Sequence, residues 1–172
     1  AVQSVVLAMT IMIAFLAILY FYMKKKNIQQ KGKILQLKLD KYENLKAKAE
    51  IKPEAERSHE YKSIIESEIF KIIMTEIDKD HYRLSEKHWD ELQQIVNRTY
   101  PNFDKNLYSF LEVSPQEYRI CLLVKIGISP TNIAHFMNVT KEAITASRRR
   151  MYIKAFNKKG KPSDWDKIIL SF

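Results

Sequence analysis

The sequence predicts an all-α fold, and three observations lead to it. Only 3 Gly and 5 Pro occur in 172 residues, too few turn-forming residues for a many-stranded protein of this size. Apolar residues recur at helical spacing, as at Ile65, Ile69, Ile72, Ile73 and Ile77. Helix start signals repeat as well: Ser85, Ser114, Ser129 and Thr140 each stand before such a stretch, and Pro follows Ser114 and Ser129.

The first element is a single transmembrane helix, expected within residues 1–23. From Val5 to Met23 every residue except Thr10 is apolar or aromatic, and about 20 such residues in a helix cross a hydrocarbon core of about 30 Å. Tyr20 and Tyr22 stand where interfacial aromatics belong, and Lys24, Lys25 and Lys26 follow at once. By the positive-inside rule the C-terminal side then faces the cytoplasm. A secretory signal has the reverse order, with charges before a shorter apolar core. The run begins almost at the first residue, which is Ala, so the expectation is the later part of a longer polypeptide.

Residues 24–52 read as a juxtamembrane basic coiled coil. Ile28, Leu35, Tyr42 and Ala49 repeat every seven positions with Leu39 and Leu45 between them, a narrow apolar seam that a parallel second copy can bury. A homodimer is the consequence, although Gly32 interrupts the seam, and a basic helix lying on anionic lipid has the same composition. Pro53 ends this element, since it lacks an amide donor. Residues 53–112 follow as a helical linker or support: an amphipathic helix from about Arg57 to Asp78, a second started by Ser85 and carrying Trp89, Leu92, Ile95 and Val96, and a third carrying Phe103, Leu107, Phe110 and Leu111.

The stretch that carries chemistry begins at Val113. Ser114 and Pro115 start a helix whose core face is Ile120, Cys121, Leu123 and Val124, and Gly127 can take the left-handed conformation that ends it. Ser129 and Pro130 start a short second helix through Ile133, Ala134 and Met137; after Asn138 and Val139, Thr140 caps a third that reaches about Phe156. Helix, tight turn and helix, each separately capped, is the skeleton of a helix-turn-helix. Placed 100° apart around the axis, Ile144, Met151 and Ala155 of the third helix fall on one side. Opposite lie Glu142, Ala146, Arg149 and Ile153, flanked by Thr145 and Arg150, the arrangement of a recognition helix over residues 141–156. Small residues there permit close approach to a groove floor, and Arg can donate twice to guanine or once to phosphate. Arg148 points toward the core side and reads as a structural ion pair. Lys141, Lys154, Lys158, Lys159 and Lys161 add positive charge against one acid, Glu142, and Thr140 completes the candidate contacts as cap. Double-stranded DNA is the partner this pattern predicts, in keeping with a net charge of +9.

The segment Val113 to Phe156 resembles the LuxR/NarL (GerE-type) DNA-binding domain. The resemblance rests on Val113, Ser114, Glu117, Gly127, Ile128, Ser129, Ile133, Ala134, Thr140, Ile144, Arg148, Met151 and Lys154, which follow the family's L-T-x-x-E opening, its G-hydrophobic-S-x-x-x-I-A middle and its V-x-x-H-R-like third helix without a gap. It implies a winged-less four-helix domain over residues 113–172 whose third helix enters the major groove, usually in a dimer. Ser147, Ala143 and Glu142 depart from the frequent residues of the pattern and leave the preferred DNA sequence open. Glu117 to Leu123, Tyr100 to Phe103, and Asp164, Trp165 and Asp166 are further similar to bacterial regulators in which a tetratricopeptide-repeat region, a membrane helix and a coiled coil precede this domain. That similarity implies a single-pass protein of the bacterial inner membrane, its C-terminal domain cytoplasmic and an upstream sensory region in the same polypeptide.

Other chemistries find little to stand on, and the expectation is that the protein is not an enzyme and uses no cofactor or metal. Ser58 to Ser63 resembles the phospho-accepting box of sensor kinases around His59, but Ile64 stands where Pro belongs and no ATP-binding segment follows. His81 and His88, seven apart, have no third ligand at suitable spacing, and His135 reads as scaffold or phosphate contact. The lone Cys121 excludes a disulfide framework and any multi-Cys zinc site, and its apolar surroundings make it a core residue. The rival to DNA binding is a protein-interaction module at the membrane that has lost it.

Overall fold

The computed structural model describes the backbone of residues 2–77, 79 and 83–172, with side chains at Met9 and from Ile11 onward within those ranges. Among the described residues every regular element is an α-helix: α1 (Val2–Ile51), α2 (Glu54–Ile65), α3 (Glu68–Glu76), α4 (Glu86–Thr99), α5 (Phe103–Phe110), α6 (Pro115–Lys125), α7 (Pro130–Met137), α8 (Lys141–Phe156) and α9 (Pro162–Leu170). The chain is therefore all-α. It forms two compact units, residues 1–39 and residues 40–172.

The first unit is helix throughout its described length. Gly32 does not break it, and a Cβ there would meet nothing within 4 Å. The side chains from Ile11 to Met23 are exposed, as is Ile28, whereas Leu35 and Leu39 are half-covered. The membrane crossing expected of Val5 to Met23, and with it the single-pass inner-membrane localisation, must be corrected: among the described residues no helix is long and apolar enough to cross a membrane. The side chains of Val5 to Ala8 and of Thr10 lie outside the described residues. The run from Ile11 to Lys24 rises only about 20 Å as a helix, against the 30 Å or so of a hydrocarbon core.

In the second unit the end of α1 packs on its own chain. Tyr42 meets Phe156 edge-on with ring centroids 6.4 Å apart, and Lys41 donates to Ser109 Oγ at 2.6 Å while its ammonium lies 5.7 Å from the Phe110 ring centre. Tyr42 belongs to the seven-residue seam, so from this point the seam has an intramolecular partner. Pro53 precedes α2, and Lys52 beside it pairs with Glu56 at 3.2 Å and with Glu60.

The long helix expected from Arg57 to Asp78 is two helices. Ser67 accepts from the Phe70 amide to start α3 and donates its hydroxyl to the Ile64 carbonyl at 2.6 Å, a local side-chain bond that competes with helix continuation. Isoleucine periodicity runs through this break, with Ile64, Ile69 and Ile73 buried on both sides of it. Asp78 lies outside the described residues, as does His81.

Helix α4 is capped as its sequence predicts, Ser85 Oγ accepting from the His88 amide and His88 Nδ1 accepting from the Ser85 amide. It buries Trp89, Leu92 and Val96 and packs against α2, α3, α5 and α6. Helix α6 lies at the centre of the C-terminal part, touching α4, α7, α8 and α9. Trp165, Phe103, Phe110, Phe156, Leu122, Leu123, Ile133, Ile144 and Met151 are all fully buried, each worth about 1.5–3 kcal/mol relative to exposure. Cys121 belongs to this core, its thiol 3.8 Å from the Met151 sulfur and pushed up by burial to about 12. A buried, protonated thiol of this kind is inert.

Candidate nucleic-acid interface

The presentation of α8 begins with the two helices before it. Ser114 and Glu117 form a reciprocal cap at the start of α6: Glu117 N donates to Ser114 Oγ at 3.3 Å and Ser114 N donates to Glu117 Oε2 at 2.9 Å. Gly127, at φ 82°, closes the other end, with Ile128 N donating to Leu123 O and Gly127 N to Val124 O, both at 3.0 Å. Ser129 then accepts from Asn132 N to start α7. At the end of α7, Asn138 takes the left-handed conformation at φ 52°, Val139 N reaches back to Ala134 O at 3.0 Å, and Thr140 Oγ1 accepts from Ala143 N at 3.1 Å. Two residues thus separate the end of α7 from the cap of α8, and α7, which buries Ile133, Ala134 and Phe136, packs directly on α8.

The inward face of α8 is Ile144, Ser147, Arg148, Met151, Ala155 and Phe156. Its outward face brings together seven of the residues that the sequence singles out: Lys141, Glu142, Thr145, Ala146, Arg149, Arg150 and Ile153 line one shallow, open depression. All are exposed except Thr145, which is half-buried and donates its hydroxyl back to the Lys141 carbonyl at 2.9 Å. Thr140 stands exposed at the N-terminus, and Lys158 and Lys159 are exposed in the segment after α8, which turns at Asn157 with φ 49°.

The other cations of the helix are spent on holding it. Arg148 is 6% exposed and donates to Asp166 of α9 at 2.5 Å, the structural pair its angle on the helix predicts. Burial raises the Asp166 carboxyl above its ordinary range despite the opposing Arg148 charge, and Arg148 Nε and Asp166 Oδ1 are buried with no hydrogen-bond partner. Lys154, a sequence-predicted contact, is half-exposed and gives its ammonium to Glu117 of α6 at 2.9 Å. Burial acts to raise the Glu117 carboxyl, but the Lys154 ammonium and the Ser114 amide outweigh it and hold it below the usual range. Lys154 is therefore placed to fix α8 on α6 rather than to face outward with Arg149. By contrast Lys141, Arg149 and Arg150 make no ion pair among the described residues.

No family model matches the chain, and neither a curated protein nor a solved structure is found to be similar to it.

Two supporting residues are not apparent from local sequence signals. Gly160, in the loop from α8 to α9, lies so close to Tyr152 that a Cβ would sit 2.3 Å from the ring, which lets Tyr152 pack on Phe156 at 5.1 Å between centroids. Asp166, eighteen residues from its partner Arg148, enters the sequence reading only through the similarity carried by Asp164, Trp165 and Asp166, which does not point to Arg148. His135 is half-buried against Phe136, with Nε2 buried and unpartnered.

Proposed function

We propose that residues 113–172 are a DNA-binding domain of the LuxR/NarL type, with α7 and α8 as its helix-turn-helix and α8 as the helix that enters the major groove. The observation that carries this reading is how α8 divides its cations. Arg148 and Lys154 are tied to Asp166 and Glu117, while Lys141, Arg149 and Arg150 stand together on an exposed face with Thr145 and Ala146. Arg149 then offers two parallel donors to guanine, Ala146 allows the backbone to approach the groove floor, and Lys141, Arg150, Lys158 and Lys159 neutralise phosphates. A homodimer through Ile28, Leu35 and Leu39 would pair two such helices on a two-fold related site.

Enrichment from a randomised duplex pool by the full chain, followed by titration of the enriched site at several salt concentrations, tests the reading. Four phosphate contacts per domain predict a log–log salt slope of about −3 to −4 for each half-site. No enrichment, or binding indifferent to salt, overturns it in favour of a protein-interaction module.

A further inference from the structure

We propose that Glu142 also reads a base: its carboxylate selects a cytosine about two or three base-pair steps from the guanine that Arg149 reads. The proposal rests on the reading of α8 as the helix in the major groove and adds to it the base at a second position. Four acids occur in residues 113–172, and three of them have partners within the domain. Glu117 holds Lys154, Asp166 holds Arg148, and Asp164 accepts from the Lys161 amide at 2.8 Å. Glu142 is exposed, and among the described residues its carboxylate makes neither an ion pair nor a hydrogen bond. It lines the same shallow depression as Lys141, Arg149 and Arg150.

A carboxylate on a surface that meets phosphates opposes every non-specific contact, so its place there calls for a contact of its own. Glu142 and Arg149 are seven positions apart, about 20° short of two full turns, and so lie on one stripe roughly 10 Å apart along the axis. Ala146, exposed between them, leaves the groove floor open to both. Glu142 stands in the first turn of α8, the part of a recognition helix that reaches base edges. An ionised carboxylate can only accept. In the major groove guanine offers N7 and O6 and thymine O4, all acceptors, and adenine sets its N6 donor beside the N7 acceptor; cytosine alone presents only a donor, N4. An acid in the first turn also favours the helix dipole, a role that changes stability and leaves base preference alone.

Selection from the randomised duplex pool with the parent, Glu142→Ala and Glu142→Gln full chains tests the proposal, followed by titration of each against the parent's site with every base pair in turn at the selected position. The parent should require cytosine there, losing roughly 5- to 100-fold on the other three pairs. Glu142→Ala should accept all four pairs within about twofold, the spread of sites without a base contact, and should bind a scrambled duplex more tightly than the parent, because one phosphate-repelling charge is gone. Glu142→Gln should move the preference from cytosine to adenine, whose N6 and N7 an amide can pair together. Arg149→Ala should lose the guanine and keep the cytosine. Unchanged preferences in both Glu142 variants while Arg149→Ala loses its guanine would overturn this proposal alone, as would equal weakening of Glu142→Ala on every duplex, the mark of an acid that only starts the helix. A parent that enriches no site would overturn it together with the DNA-binding reading.

Discussion

Replacing Asp166 with Asn should damage the C-terminal domain far more than its position near the chain end suggests. The substitution keeps shape and removes the charge, leaving Arg148, whose side chain is 7% exposed, without its counter-ion. Breaking a fully buried pair by removing one partner costs about 3–5 kcal/mol. Asp166 retains 24% side-chain exposure, which admits water and places the loss near the lower end, about 3 kcal/mol. That corresponds to a fall in thermal midpoint of roughly 10 °C for a unit of this size. The pair itself is a poor net source of stability, because burial raises the Asp166 carboxyl and leaves Arg148 Nε and Asp166 Oδ1 unpartnered. Joint replacement, Arg148→Met with Asp166→Leu, should therefore recover most of the loss. Urea titration followed by tryptophan fluorescence reads all three proteins, since Trp165 is fully buried next to the substituted position. An Asp166→Asn protein within about 0.5 kcal/mol of the parent, the range of ordinary surface substitutions, would refute the reasoning.

Further outcomes follow from the same contacts. Gly160→Ala should destabilise by about 1–3 kcal/mol as an overpacking change, because its Cβ meets the Tyr152 ring at 2.3 Å, and Tyr152→Ala in the same chain should remove most of that increment. The pH dependence at the alkaline end should carry the mark of Lys125. Its folded value, about 8, lies below the ordinary 10.5, so between these values the unfolded chain holds a proton the folded one has lost, and stability should rise with pH across that window. Lys125→Met should abolish this rise in urea titrations from pH 7 to 10.5. Glu117 works in the opposite range: its folded value is lowered, so its contribution is present above the ordinary carboxylate pKa and lost as pH falls through the folded one, and Glu117→Gln should flatten the acid limb of the same profile.

What was legible in the sequence is what is local. Ser85, Ser114, Ser129 and Thr140 cap the helices they precede because a hydroxyl three residues before a free amide needs no tertiary partner. Gly127 ends α6 for an equally local reason, and the angular argument separates the buried Ile144, Arg148 and Met151 from the exposed Ala146 and Arg149 because the helix runs straight through them. Ser67 was concealed by an isoleucine periodicity that continues on both sides of the break it makes. Pairs such as Lys154 with Glu117 or Lys125 with the Leu170 carbonyl join positions 37 and 45 residues apart, so no spacing rule could reveal them. The seam from Ile28 to Ala49 has a related limit, since periodicity registers an apolar stripe without saying what covers it, and Tyr42 meets Phe156 of its own chain. The expectation of a membrane crossing drew on residues beyond the described apolar run, which is too short to make one.

The central claim is that α8 reads bases with Arg149 and that the lysines after it hold only backbone. It is tested most directly by titrating Arg149→Ala and Lys158→Ala proteins against the enriched duplex and a scrambled one at several salt concentrations. Arg149→Ala should lose about 1–3 kcal/mol on the enriched site and little on the scrambled one. Lys158→Ala should weaken both alike and flatten the salt slope by about one unit. Unchanged discrimination between the two duplexes in Arg149→Ala would contradict it.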